Sequence, residues 1–317
     1  MPFKRTRDGK GRAGVQTVII GATFMDVKGF SQNAYVPAGT NIGEVCMTHG
    51  GVCRNVCEDF ANQGEPTAFV SMTDRSAFGC EIRDHLSALR VDLRHMIFAE
   101  RGLGIWLAIL NERGELSGSI SQQPNFVPME DYLREHGEEI VAQAGSIVLE
   151  IDMNERIART VLDLAARLGK SVYVIVGNMG VILRHPEFLR GVRCFICNEI
   201  EAGRLFGGGS FDGAPEEALR ALPDCARRLG LRAAVVTMGP RGAIYFDAET
   251  GEAGHCPAVP AGVVDSTGAG DAFFAGTVMA LGRGFALRRA VQTGARLASA
   301  TLACAESSCP RVEGLFD

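Results

Sequence analysis

Six short apolar runs punctuate this chain: "TVII" (17–20), "TAFVSM" (67–72), "SIVLEI" (146–151), "SVYVIV" (171–176), "RCFIC" (193–197) and "AAVVTM" (233–238). They are continuous, not alternating, so each strand needs apolar cover on both faces. A parallel sheet with helices above and below meets that need. The intervening spacing predicts helices over 52–63, 76–89, 129–143, 154–168 and 214–229, each with a charged outer face. The expected class is therefore α/β, with a central, mostly parallel sheet flanked by helices. Two stretches break the rhythm. Residues 27–48 are rich in Gly and Asn, and 95–125 hold successive strand-like pieces, with a hairpin expected from Asn111 to Glu115 between "GIWLAIL" and "LSGSIS". These segments are expected to form a small β-sheet beside the core, able to act as a lid.

The charge balance narrows the partners. With 32 Lys and Arg against 37 Asp and Glu, the net charge of −5 gives no reason to expect a nucleic acid. No apolar stretch approaches the roughly 20 residues of a membrane span, and "LGIWLAIL" (103–110) is strand-sized. Residues 1–16 are basic and lack an apolar core, so they read as a flexible solvated tail and not a secretory signal, leaving 17–317 as one domain. Ten cysteines without an export signal fit reduced thiols in a cytoplasm. Cys194 and Cys197 form a lone CxxC within a strand-like run, and Cys53 and Cys57 share a helix face; both pairs read as core packing. "GKS" (169–171) is not a P-loop: the glycine needed five positions earlier is Leu164, and a strand follows where a helix should.

"DSTGAGDAFFAG" (265–276) carries the chemistry. Small residues at a helix N-terminus let an anion approach unpaired backbone N–H groups, and Gly268-Ala269-Gly270 meets that steric need. Asp271 falls in the first turn, where the positive helix end favours its ionised form and a hydroxyl could give it a proton. Ser266, Thr267 and Asp271 are also ordinary capping residues, so composition alone leaves the cap and the catalytic base equally open.

The stretch resembles the D-T-x-G-A-G-D signature of the ribokinase-like (PfkB) carbohydrate kinases, with Ser266 in place of the first threonine. Other landmarks stand in the same order: "GATFMD" (21–26), similar to the first strand ending in a sugar-gripping aspartate; "GGVCRN" (50–55); "NEIE" (198–201), an N-x-x-E element; and "TMGPRGA" (237–243), a T-x-G-x-x-G loop. The resemblance runs from about 17 to 310. It implies phosphoryl transfer from ATP·Mg2+ to a hydroxymethyl group, with Asp271 as base and the Gly268–Asp271 backbone as anion hole. Asp26, Gly50, Gly51, Arg54 and Asn55 would bind the substrate. Asn198, Thr237, Gly239 and Gly242 would bind nucleotide. Glu201 would hold magnesium through water, and Asp265 and Thr267 would form part of a site for a monovalent cation such as K+. Structural alternatives stay open at three positions: a turn at Asp26, an Arg54–Glu58 ion pair, and a Glu201–Arg204 ion pair. Asn55 inside a helix is better explained by a polar reach than by propensity.

The "GGVCRN" helix, "MDVKG", "NIGEV" and "ATLACAESS" are similar to the pseudouridine kinases of this family, which implies the ribose 5′-hydroxyl as acceptor. One departure stands against it: "VGNMGVILRHPEF" (176–188) lacks the aspartate and lysine of that subgroup; a second, Cys57 in place of an alanine, reads as a packing change. Ribose, fructose-type sugars and other nucleosides remain alternatives, as does a non-catalytic ligand-binding protein, which the retained Asp271 disfavours. A homodimer joined through the lid is expected, because a lid sheet exposes strand edges and apolar surface.

Overall fold

The computed structural model describes residues 16–208 and 211–317, so the tail expected over 1–16 lies outside the described residues apart from Gln16. The chain runs β1 (Thr17–Ile20), β2 (Phe24–Ser31), β3 (Gly43–Gly50), α1 (Val52–Asn62), β4 (Thr67–Thr73), α2 (Ala77–Ala88), β5 (Met96–Phe98), β6 (Gly104–Leu110) and β7 (Leu116–Gln122). It continues α3 (Val127–Gln143), β8 (Ser146–Glu150), α4 (Glu155–Arg167), β9 (Ser171–Ile175), β10 (Cys194–Asn198), α5 (Glu199–Phe206), α6 (Pro215–Leu229), β11 (Ala233–Thr237), β12 (Ala243–Asp247), β13 (Ala253–Cys256), α7 (Ala269–Gly282) and α8 (Leu287–Leu302). The six apolar runs are β1, β4, β8, β9, β10 and β11, and the five expected helices are α1, α2, α3, α4 and α6.

Nine strands form the central sheet in the order β13-β12-β11-β10-β9-β8-β1-β4-β5. Every neighbouring pair is parallel except those involving β12, which runs antiparallel to β11 and β13. Alternate strand residues feed two cores. Val18, Ile20, Ile147 and Leu149 pack with α3 to α6, whereas Ile19 and Val148 pack with α1, α2, α7 and α8. Because side chains alternate across the sheet, the three-residue spacing sends Cys194 and Cys197 to opposite cores; they cannot form one metal or redox site. All ten cysteines are free.

Helix α7 is buried from Ala272 to Leu281, as an all-round apolar helix must be. It lies close against α8 because Gly276 meets Gly294; a β-carbon at 276 would come 2.9 Å from the Gly294 Cα. Among the described residues no helix is long and apolar enough to cross a membrane.

The irregular segments form a separate four-stranded sheet, β3-β2-β6-β7, with the expected hairpin at Asn111, whose Oδ1 accepts from the Arg113 and Glu115 amides. One part of the expected lid belongs elsewhere: Met96–Phe98 pairs with β4 as the edge of the central sheet, where its apolar residues find a parallel neighbour. Register gives the lid two unlike faces. Asp26, Lys28, Thr48 and Trp106 share one, and Val27, Val45, Met47, Leu107 and Ile120 share the other. Val27 packs against the core, whereas Val45, Met47 and Ile120 are 68%, 53% and 69% exposed, so the second face is an apolar surface open to solvent around these three.

Candidate active site

Parallel strands deliver their C-terminal ends to one edge of a sheet, where ligands bind in open α/β folds. Glu150, Asn198 and Thr237 close β8, β10 and β11 there, and α1 begins at Gly51. The inner face of the lid adds Asp26 and Lys28. Asp26 departs from its expected position: it is the third residue of lid strand β2, after a break at 21–23, and does not end the first core strand. A lid residue can still meet the core, because Gly50 pairs with Phe24 at the lid's root and lacks the β-carbon that would overlap the Asp26 carboxylate.

Asp271 and Asn55 come together across 216 positions of sequence. Asn55 Nδ2 donates to Asp271 Oδ2 over 2.7 Å, joining α1 to the first turn of α7. Burial pushes the Asp271 carboxyl up to about 7, against the Asn55 hydrogen bond and the Arg54 charge; the Asp26 and Glu201 carboxylates add to the rise. A base poised near neutrality suits proton abstraction from an alcohol.

Arg54 is buried, 2% exposed, and its donors are engaged within the protein. It pairs with Glu58 and donates to the carbonyls of His49 and Gly50, to Asn55 Oδ1 and to Ser307 Oγ. The ion-pair alternative is the one realised. Arg54 thereby orients Asn55, whose amide nitrogen is turned to Asp271.

The turn that opens α7 has no side-chain cap at Gly268. Gly268 is the N-cap of α7, and among the described residues no side chain bonds the first amides. Ser266, Thr267 and Asp271 do not cap the helix. Gly268 sits at φ 79°, and a β-carbon there would overlap the Ser307 carbonyl oxygen, so both conformation and space call for glycine. A β-carbon on Gly270 would meet nothing within 4 Å, which leaves that side of the turn open.

Asp265 and Thr267 lie just before this turn. Asp265 Oδ1 accepts from both the amide and the hydroxyl of Thr267, each at 2.8 Å. The sequence reading missed their third partner. Lys28 Nζ reaches from the lid to donate to Thr267 Oγ1 over 3.0 Å and lies 3.9 Å from Asp265 Oδ2. The positive partner of this pair is therefore an ammonium, and a monovalent cation held by the same two side chains would compete with it. The signal was available, since Lys28 stands two residues after Asp26 and a strand puts both on one face.

Asn198 and Glu201 form a reciprocal capping box on α5: Asn198 Oδ1 accepts from the Glu201 amide and Glu201 Oε2 from the Asn198 amide, both at 2.9 Å. Among the described residues Glu201 makes no ion pair with Arg204. Burial raises the Glu201 carboxyl, and Asp152 adds to the rise. Glu150 is a second missed residue: buried, it accepts from the Ala22 amide at 3.0 Å and is pushed up to about 7 by burial, with Asp152 and Asp271 contributing. Its signal was an acid closing an apolar strand run. Asp152 accepts from the amides of Gly177, Asn178, Met179 and Val181, which fixes the segment that follows β9. Thr237 Oγ1 donates to the Cys197 carbonyl at 3.4 Å, and Gly239 and Gly242 shape the turn that follows, closed by Met238 N–H to Gly242 O at 2.8 Å.

Among the described residues no three His, Cys, Asp or Glu side chains form a direct metal cage. Mutually repelling carboxylates still fit a hydrated divalent cation, which keeps most of its waters and leans on one or two carboxylates and substrate phosphates. Glu201, with one oxygen fixed by the capping box, fits as such a carboxylate.

Comparison with known proteins gives the family and the fold. Residues 16–311 match the model of the pfkB family carbohydrate kinases, and the chain belongs to that family. It is 28% identical over 290 residues to a guanosine-inosine kinase from Exiguobacterium acetylicum, covering 91% of this chain and 95% of the relative. It is also 28% identical over 297 residues to a pseudouridine kinase from Escherichia coli (strain K12), covering 92% of each. The solved structure of Arabidopsis thaliana ribokinase complexed with ribose and ATP superposes with a TM-score of 0.82 at 23% identity, covering 96% of this chain and 98% of that one. The fold is ribokinase-like, and the activity of the family is phosphoryl transfer to the alcohol group of a sugar or nucleoside.

Proposed function

We propose that this pfkB-family kinase transfers the γ-phosphoryl group of ATP to the 5′-hydroxyl of a ribonucleoside, with pseudouridine as the acceptor favoured by the "GGVCRN" helix. The Asp271–Asn55 contact at the open turn before α7 is the observation that carries this reading. Asp26 would hold the ribose hydroxyls, helped by the close backbone of Gly50 and Gly51. Asp271 would take the 5′-hydroxyl proton, and the amides of Gly268 to Asp271 would hold negative charge on the transferring oxygens. Thr237, Gly239, Gly242 and Asn198 would line the nucleotide. Magnesium, held through water by Glu201, would neutralise the phosphates when bound.

The lid would close over the acceptor and exclude water, limiting loss of ATP to hydrolysis. Its exposed apolar face supports a homodimer joined through the two lids. The free cysteines support a reducing compartment, the cytoplasm.

A second reading takes a purine nucleoside as acceptor. The likeness to a guanosine-inosine kinase favours it, as does the 176–188 segment, which lacks the aspartate and lysine of the pseudouridine subgroup. ATP consumption with pseudouridine, uridine, guanosine, inosine, ribose and fructose side by side separates these readings. Turnover with pseudouridine alone supports the first, and turnover with guanosine and inosine alone the second. Silence across the panel contradicts both.

A further inference from the structure

We propose that Trp106 is the platform on which the base of a nucleoside acceptor stacks, which makes the acceptor an aromatic nucleoside and not a free sugar; this deepens the kinase reading and rests on it. Trp106 is the single tryptophan of the chain. It is paired directly with Asp26 across β2 and β6, and with Ser121 across β6 and β7. Directly paired residues on adjacent strands share a face, and neighbouring strands lie about 4.8 Å apart. Trp106 thus stands one strand beyond Asp26 on the inner face of the lid, the face from which Lys28 reaches Thr267 at the mouth of α7.

Exposure fits that placement. Ile105 and Leu107, on the outer face, are each 38% exposed, whereas Trp106 is half-buried. Among the described residues its indole N–H has no hydrogen-bond partner and its ring no aromatic or cationic neighbour. A large amphipathic ring left in this state beside a carboxylate is suited to an aromatic ligand carrying polar edges.

The chemistry selects the ligand class. With a ribose hydroxyl on Asp26 and the 5′-oxygen on Asp271, the C1′ substituent is the group directed along the lid. A nucleobase there covers the indole face, and Ser121 offers its edge a hydroxyl. A free pentose has no π-face to cover the ring. Stacking tolerates any base, because every base has a π-face; purine and pyrimidine nucleosides should both engage Trp106.

Because the chain has one tryptophan, its fluorescence reports the contact directly. Titrating the full-length protein with pseudouridine, inosine and ribose should change Trp106 emission with both nucleosides and leave it unmoved with ribose. Trp106→Ala should raise the nucleoside KM about tenfold or more, the order of magnitude of one lost stacking partner, with kcat within a few-fold of wild type. Trp106→Phe, which keeps a ring and the fold, should restore most of that loss. Unmoved emission at saturating nucleoside, a wild-type KM in both variants, or turnover of ribose in preference to nucleosides would overturn the assignment. The two readings fail separately. Nucleosides that change the emission without being phosphorylated would sink the kinase reading and support Trp106 as platform. Nucleosides phosphorylated with no change in emission and a wild-type KM in Trp106→Ala would do the reverse.

Discussion

Lys28 and Thr267, 239 positions apart in sequence, meet at 3.0 Å and tie the lid to the turn that opens α7. The ammonium is nearly buried and close to Asp265, so it joins lid position to the charge beside the anion pocket. Lys28→Ala is expected to lower kcat/KM by roughly tenfold, as loss of a hydrogen bond from a charged donor would. It should also raise the share of ATP lost to water. Wild-type activity should be insensitive to K+, while K+ should partly restore the variant by taking the vacated place. Steady-state kinetics in K+ and in a bulky organic cation check this; a wild type that needs K+ would contradict it.

The raised Asp271 carboxyl has two consequences of opposite sign. For catalysis the base must be ionised, so kcat/KM should fall as pH drops below about 7. For stability, a carboxyl held above its ordinary range near 4 favours the folded state only while protonated. That contribution fades as pH rises through about 7, above which the ionised group is a net cost. Asp271→Asn should therefore melt above wild type at pH 8, with the gap closing toward pH 4. Thermal unfolding across that range tests the sign, and a variant less stable than wild type at pH 8 would contradict it.

In the proposed reaction Asp26 serves the acceptor and not the nucleotide. Asp26→Ala is expected to raise the acceptor KM by about 10- to 100-fold while the KM for ATP stays near wild type, since one charge-assisted contact to a hydroxyl is lost. An unchanged acceptor KM would remove Asp26 from the site.

The outer lid face supplies a test of assembly. Val45, Met47 and Ile120 present exposed apolar side chains on one side of the sheet. Met47→Asp with Ile120→Asp should convert a dimer to monomers in sedimentation. A wild type that is monomeric at the concentrations of assay would contradict assembly through the lid.

The central sheet was legible because burial on both faces leaves a mark that short segments cannot hide: β1, β4 and β8 to β11 read as unbroken apolar runs. Strands β12 and β13 left weaker traces. They lie at the antiparallel edge, where "AIYFD" directly follows the "TMGPRG" loop and "AGHC" is barely apolar. Met96–Phe98 passed for lid because three residues do not tell which sheet they join. The glycine-rich turn and Asp271 were legible from local spacing. Lys28 and Glu150 left only weak local marks, a place two residues after Asp26 and an acid closing an apolar run, and Trp106 left none; each takes its meaning from a partner far along the chain: Thr267, the Ala22 amide, and the face set by Asp26. Arg54 shows the converse, because local spacing offered two partners, substrate or Glu58, and burial made the choice.

In the proposed reaction Asp271 removes the acceptor proton beside an anion pocket formed by its own helix. Single-turnover transfer from γ-labelled ATP to a nucleoside, measured in wild type and Asp271→Asn with ATP affinity determined in both, tests it most directly. Affinity is expected to stay within a few-fold of wild type and the transfer rate to fall by about 10²- to 10⁴-fold. A variant that transfers phosphate at a near-normal rate would contradict it.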